Sequence, residues 1–160
     1  MERVKLRPAT PGDLDFILAQ ESRADFADYI YSWPREQHLQ ALENPDYRYL
    51  VAEDEAGLCA YVMLCGLAAP ERSIELKRIA VAAPGRGLGK TILRAVIREA
   101  FESLDAQRLW LDVFADNPRA RAAYRAVGFG EDGTERQSEL RDVPLVVMSI
   151  GQDEYHAKIL

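Results

Sequence analysis

Residues Ile74–Thr91, IELKRIAVAAPGRGLGKT, run from an apolar strand through a glycine-rich turn directly into a helix. That arrangement builds an anion site. Gly85, Gly87 and Gly89 carry no Cβ, so the backbone can reach positive φ and approach a ligand, while the first helical N–H groups lack intrahelical acceptors. Those donors, with the positive end of the helix dipole, favour a phosphate. A glycine-rich loop can also serve only to turn a corner. The alternate spacing of the three glycines, with Arg86 and Lys90 among them, favours the phosphate reading.

Counting residues excludes two other phosphate motifs. A Walker A loop needs a glycine five residues before Gly89, and Pro84 stands there. A dinucleotide fingerprint needs a third glycine three residues after a Gly-x-Gly pair, where this chain has Lys90 or Ile92.

The second informative segment is Arg108–Phe129, RLWLDVFADNPRARAAYRAVGF: a buried strand, a break at Asp116, Asn117 and Pro118, and a short helix ending at Gly128. Pro118 suits the first turn of that helix and Gly128 its C-terminal cap. Arg78-Ile79-Ala80-Val81 before the loop, Gly87-Leu88-Gly89 within it, and Asn117, Ala120, Tyr124 and Gly128-Phe129 after it follow one another in the order and spacing of a known pattern. On these residues the chain resembles the GNAT superfamily of acetyl-CoA-dependent N-acyltransferases. It departs from that pattern at Pro84, where the family usually has glutamine or arginine; proline has no N–H to donate.

Bulk properties agree with a small enzyme. A chain of 160 residues fits one domain, taken as residues 1–160, large enough to bury about two thirds of its unfolded surface. The net charge of -6 and pI near 5.0 argue against a nucleic-acid surface, which would show a basic face. The N-terminus MERVKLRPAT lacks the apolar core of a signal peptide, and no apolar run reaches the ~20 residues of a membrane span, so no membrane partner and a cytoplasmic location are expected. Cys59 and Cys65 fall in one apparent strand, about 20 Å apart, too far for a disulfide, and read as inert core thiols. His38 and His156 have no ligand spacing around them, so no metal site is expected.

The predicted elements make an α/β fold: a mixed central sheet with helices on both faces. Strands are expected at Val4–Arg7, Arg48–Glu53, Leu58–Leu67, Ser73–Ala82, Arg108–Phe114 and Val143–Ile150, with Asp54–Gly57 as a hairpin turn. Thr10 is the expected cap of a first helix, with Pro11 at its first position. Leu88, Ile92, Leu93, Val96, Ile97, Ala100, Phe101 and Leu104 recur at helical spacing and form one apolar stripe.

The resemblance implies that two parallel strands, Ser73–Ala82 and Arg108–Phe114, splay apart and that the pantetheine of acetyl-CoA enters between them. Carried over by position, the cofactor-binding residues are Ile79, Ala80, Val81, Arg86, Gly87, Leu88, Gly89, Lys90, Thr91, Asn117 and Tyr124. Ile79 and Val81 pair through their backbone, and their side chains alone would read as core. Acyl transfer to an amine needs a base and a donor for the leaving thiolate, because an alkylammonium has a pKa near 10.4. Tyr124 is the implied donor and Glu75 the candidate base. For Glu75 a strand-edge ion pair with Lys77 or Arg78 is the competing reading. Asp112 is the second candidate, with a structural hydrogen bond as its competing role. Tyr29, Tyr31 and Trp33 either line an acceptor pocket or pack two helices. The acceptor is an amine-bearing small molecule or a protein amine, a homodimer is the assembly to test, and a non-catalytic acyl-CoA-binding module is the alternative function.

Overall fold

In a computed structural model of the chain, residues 4–26, 32–82 and 87–159 are described. The β-rich runs on either side of Asp54–Gly57 close into a hairpin of β2 (Tyr47–Asp54) and β3 (Gly57–Cys65), with the Asp54 carboxylate accepting the Ala56 N–H at 2.8 Å. β1 (Lys5–Pro8) adds to β2, and β4 (Ser73–Val81) adds to β3, all antiparallel. β5 (Arg108–Phe114) then lies parallel to β4, β7 (Leu145–Gly151) antiparallel to β5, and β6 (Gly130–Arg136) on the outer edge.

A parallel pair needs a crossover between its strands. Here it is α3 (Leu88–Arg98), whose buried stripe of Leu88, Ile92, Leu93, Val96 and Ile97 continues into Ala100 and Phe101 in a π-helical turn. With Val127 and Phe129, which follow α4 (Pro118–Ala126), these side chains form the core on one face of the sheet. On the other face α1 (Leu14–Glu21) and α2 (Arg35–Glu43) supply Leu14, Ile17 and Ala41 to a second core with Tyr49, Val51, Tyr61, Met63 and Ala80. The expected mixed sheet with helices on both faces is present.

β4 carries two irregularities. Its register against β3 passes from Met63↔Arg78 to Leu64↔Leu76, leaving Lys77 as the extra residue of a β-bulge. The bulge exchanges the faces of the strand. Ile74 and Leu76 before it, and Ile79 and Val81 after it, pack on the α3 side, while Ala80 joins the α1–α2 side. Pairing with β5 covers only Ser73, Ile74 and Glu75, opposite Arg108, Leu109 and Trp110. Beyond Glu75 the two strands separate, as β5 keeps its full register with β7.

Differences from the expected elements have local causes. β6 gives no strand signal because all seven of its residues are exposed, so an edge strand rich in charge carries no alternation. β7 begins after Pro144 instead of at Val143, since proline cannot donate to a ladder. β3 stops at Cys65 because Gly66 turns the chain at φ 90; a Cβ there would lie 2.8 Å from the Ser73 carbonyl oxygen. Thr10 precedes a short 3-10 turn ahead of α1, and the cap runs the other way, with Asp13 Oδ2 accepting the Thr10 N–H at 2.8 Å. Among the described residues no helix is long and apolar enough to cross a membrane.

Candidate active site

The gap between β4 and β5 exposes backbone. Ala82 N–H bonds to the Cys59 carbonyl at 2.8 Å, so Ala82 faces β3, and by strand alternation Ala80 does too while Ile79 and Val81 face the gap. The fold thus brings Ile79 and Val81 to the gap and turns Ala80 away. The Val81 carbonyl accepts from Arg23 Nη1 at 2.6 Å, and Arg23 is in turn held by Asp25. The two side chains that flank the gap also pack against the core, so their packing and backbone roles coexist.

At the end of the gap α3 begins. Gly87 is its N-cap at φ 76 with no side chain to cap the helix, and the first turn holds no acidic residue. Among the described residues the first amides of α3 therefore have no intrahelical or side-chain acceptor of the usual kind, the condition for an anion site. Buried Leu88 anchors the turn, Lys90 and Thr91 are exposed, and a Cβ on Gly89 would meet nothing within 4 Å. Arg86, with Pro84 and Gly85, lies outside the described residues.

α4 follows β5, and its Ala120 and Tyr124 pack against the same core as Ile79 and Val81. Asn117 is its N-cap, with Oδ1 accepting the Ala120 N–H at 3.2 Å, so its side chain holds the helix start. Tyr124 is half-buried and packs edge-on to Phe129 with ring centroids 5.9 Å apart. Among the described residues its hydroxyl makes no hydrogen bond. Burial, and then the negative charge of Asp112, push the phenol up to about 12, so it stays protonated and able to donate at neutral pH.

Glu75 stands where the strands part. Cys65, its partner on β3, donates its thiol to Glu75 Oε1 at 3.4 Å. This corrects the reading of Cys65 as a core thiol: it is half-buried, and burial with the Glu75 charge pushes it up to about 12, so it remains a neutral donor. Among the described residues Glu75 forms no ion pair. Arg78 goes instead to the buried Glu21. Asp112 is bonded by Arg136 Nη1 at 2.8 Å, and burial raises its pKa against the pull of Arg136 and Lys77. Trp33 packs partly against the α1–α2 core, with the Arg78 guanidinium 4.8 Å and Lys77 Nζ 5.9 Å from its ring centre. Tyr29 and Tyr31 lie outside the described residues.

Sequence reasoning missed the network beneath this face. The Glu21 carboxylate accepts from His38 Nε2 at 2.8 Å, Tyr61 Oη at 2.6 Å, the Trp33 N–H at 3.2 Å and Arg78 Nη1, and His38 Nδ1 lies 2.7 Å from Tyr49 Oη. One signal was present. Leu14, Ile17 and Glu21 share a helix face, so a charge sits where the buried stripe continues.

Residues 17–129, more than half of the chain, match the acetyltransferase (GNAT) family, and the chain belongs to that family. The spermidine N(1)-acetyltransferase of Vibrio cholerae is 27% identical to it over 140 residues, covering 82% of this chain and 81% of the relative. The N-alpha-acetyltransferase RimI of Mycobacterium tuberculosis is 33% identical over 111 residues, 66% of each chain. A crystal structure of the Vibrio cholerae spermidine N-acetyltransferase in complex with CoA and spermine superimposes with a TM-score of 0.82 at 26% identity, over 96% of this chain and 98% of that one. This chain is an acetyl-CoA-dependent N-acetyltransferase, and the open β4–β5 gap ending at the uncapped start of α3 suits an extended donor with a phosphate end.

Proposed function

We propose that this chain moves the acetyl group of acetyl-CoA to a primary amine by direct attack of the amine while both substrates are bound. The observation that supports this reading is the gap itself: β4 leaves β5 immediately after Glu75, the residue taken here as the base. Backbone groups of Ile79 and the Val81 N–H bind the donor along β4, and the amides of Gly87–Thr91, with Lys90 and Arg86, take its phosphates. Glu75 accepts the proton of the amine, directly or through water, and Tyr124 donates to the departing sulfur. Asn117 acts by fixing the start of α4. We place the reaction in the cytoplasm, with no nucleic acid or membrane partner and no metal.

The two relatives with named acceptors differ, one acting on spermidine and the other on an alpha amine, so membership in the family leaves the acceptor open. A panel of polyamines, amino acids and peptide N-termini, scored for free thiol released from acetyl-CoA, tests the reading. Amine-dependent release supports it. CoA binding without release by any amine would leave an acyl-CoA-binding module.

A further inference from the structure

We infer that the acceptor of this enzyme is a primary amine that also carries an anionic group, and that Lys77 receives that group; the inference rests on the acetyl-transfer reading. Among the described residues, most charged groups around Glu75 and Lys77 are engaged by charged or backbone partners. Arg78 is bonded to Glu21, Arg136 to Asp112 at 2.8 Å, and Arg108 to Asp132 at 3.1 Å. The Asp46 carboxylate accepts the N–H groups of Gly66 and Ala68 at 3.3 and 2.9 Å. What remains is Glu75, bonded to a neutral thiol, and Lys77, which is exposed and has no carboxylate in ion-pair range among the described residues.

These two opposite charges stand two residues apart on one strand, roughly 6–7 Å between Cα atoms. Strand alternation ahead of the bulge puts Lys77 on the same side as Glu75, opposite Ile74 and Leu76, and Lys77 Nζ reaches the Trp33 ring on that side, where its field acts on Cys65 and Asp112. A substrate ammonium is drawn to Glu75 and a carboxylate or phosphate on the same molecule to Lys77. A polycation fits poorly. The aromatic face that would attract a second ammonium, Trp33, already carries Arg78 and Lys77, and a further positive charge beside them is repelled.

Three amines with the same reacting end separate the cases: 4-aminobutyrate, butylamine and putrescine, whose far ends are anionic, neutral and cationic. Each is titrated by calorimetry into the CoA-saturated protein and assayed for thiol release from acetyl-CoA. The anionic amine is expected to bind about five- to tenfold more tightly than putrescine, with butylamine between. Lys77→Met should collapse this order and Lys77→Glu invert it. Preference of the wild-type protein for putrescine, no preference for the anionic amine, or an order unchanged in Lys77→Met overturns the inference. Failure of CoA itself to stabilise the protein would instead overturn the acetyl-transfer reading on which it rests.

Discussion

At the scale of single residues, the proposed chemistry assigns proton acceptance to Glu75 and proton donation to Tyr124. Tyr124 is held protonated by burial and by the Asp112 charge, and its ring is braced by Phe129. Tyr124→Phe retains that packing and removes only the donor. Thermal stability and CoA affinity should therefore change little, while kcat falls about 10- to 1000-fold in steady-state assays. Full retention of kcat, with product release excluded as the slow step, would make Tyr124 structural. For Glu75→Gln the expected result is a loss of about 100-fold in kcat with CoA binding intact. An unchanged kcat would shift the role to Asp112 or to water. Cys65, held as a thiol up to about pH 12, should react slowly with iodoacetamide in the native protein at pH 8, and rapid labelling would contradict its bonding to Glu75.

At the scale of elements, α3 and β4 each contain one local break beside the proposed donor site. Gly87 holds φ 76 at the start of α3, whereas Gly89 is ordinary helix with open space around its Cβ position. The two glycines should respond differently. Gly87→Val strains the backbone and lowers both stability and CoA binding. Gly89→Val should leave the melting temperature within a few degrees and still abolish the stabilisation by CoA, because its side chain covers amides that the phosphates need. In a thermal-shift titration the wild-type protein gains about 2.7 kcal/mol at CoA a hundredfold above Kd. If ATP with magnesium stabilised it more than CoA, the anion site would belong to another ligand.

At the scale of the whole molecule, the buried network on Glu21 ties α1, α2, β2, β3 and β4 together. Burial alone would raise the Glu21 pKa, but bonds from His38 and Tyr61 and the Arg78 charge outweigh it and lower the carboxyl from 4.5 to about 2. Its contribution to stability is therefore fully present above about pH 4.5, where the unfolded carboxyl is ionised, and is lost as pH falls towards 2. Glu21→Gln removes the buried Arg78–Glu21 ion pair from this network and should destabilise the protein by about 3 kcal/mol at pH 7. The difference from wild type in urea denaturation should shrink as pH falls from 4.5 to 3; a constant difference would show that Glu21 is not held ionised.

Much of this protein is written locally. Strand alternation, the stripe on α3, the glycines at its start and the Asn117–Pro118 helix start depend on neighbours within a few residues, so the class of fold, the glycine turn into α3 and the helix that carries Tyr124 are legible in the chain. The exposed strand β6 was not, since nothing about its residues distinguishes an edge strand from a loop until β7 is there to pair with it. Nor did the chain by itself determine that Lys77 bulges out of β4, that Arg78 turns inward to Glu21 from 57 residues away, or that Cys65 meets Glu75 across two strands. Those outcomes depend on register and on which side chains share a face. Tertiary packing decides both, because a one-residue offset exchanges the inward and outward sides of a strand.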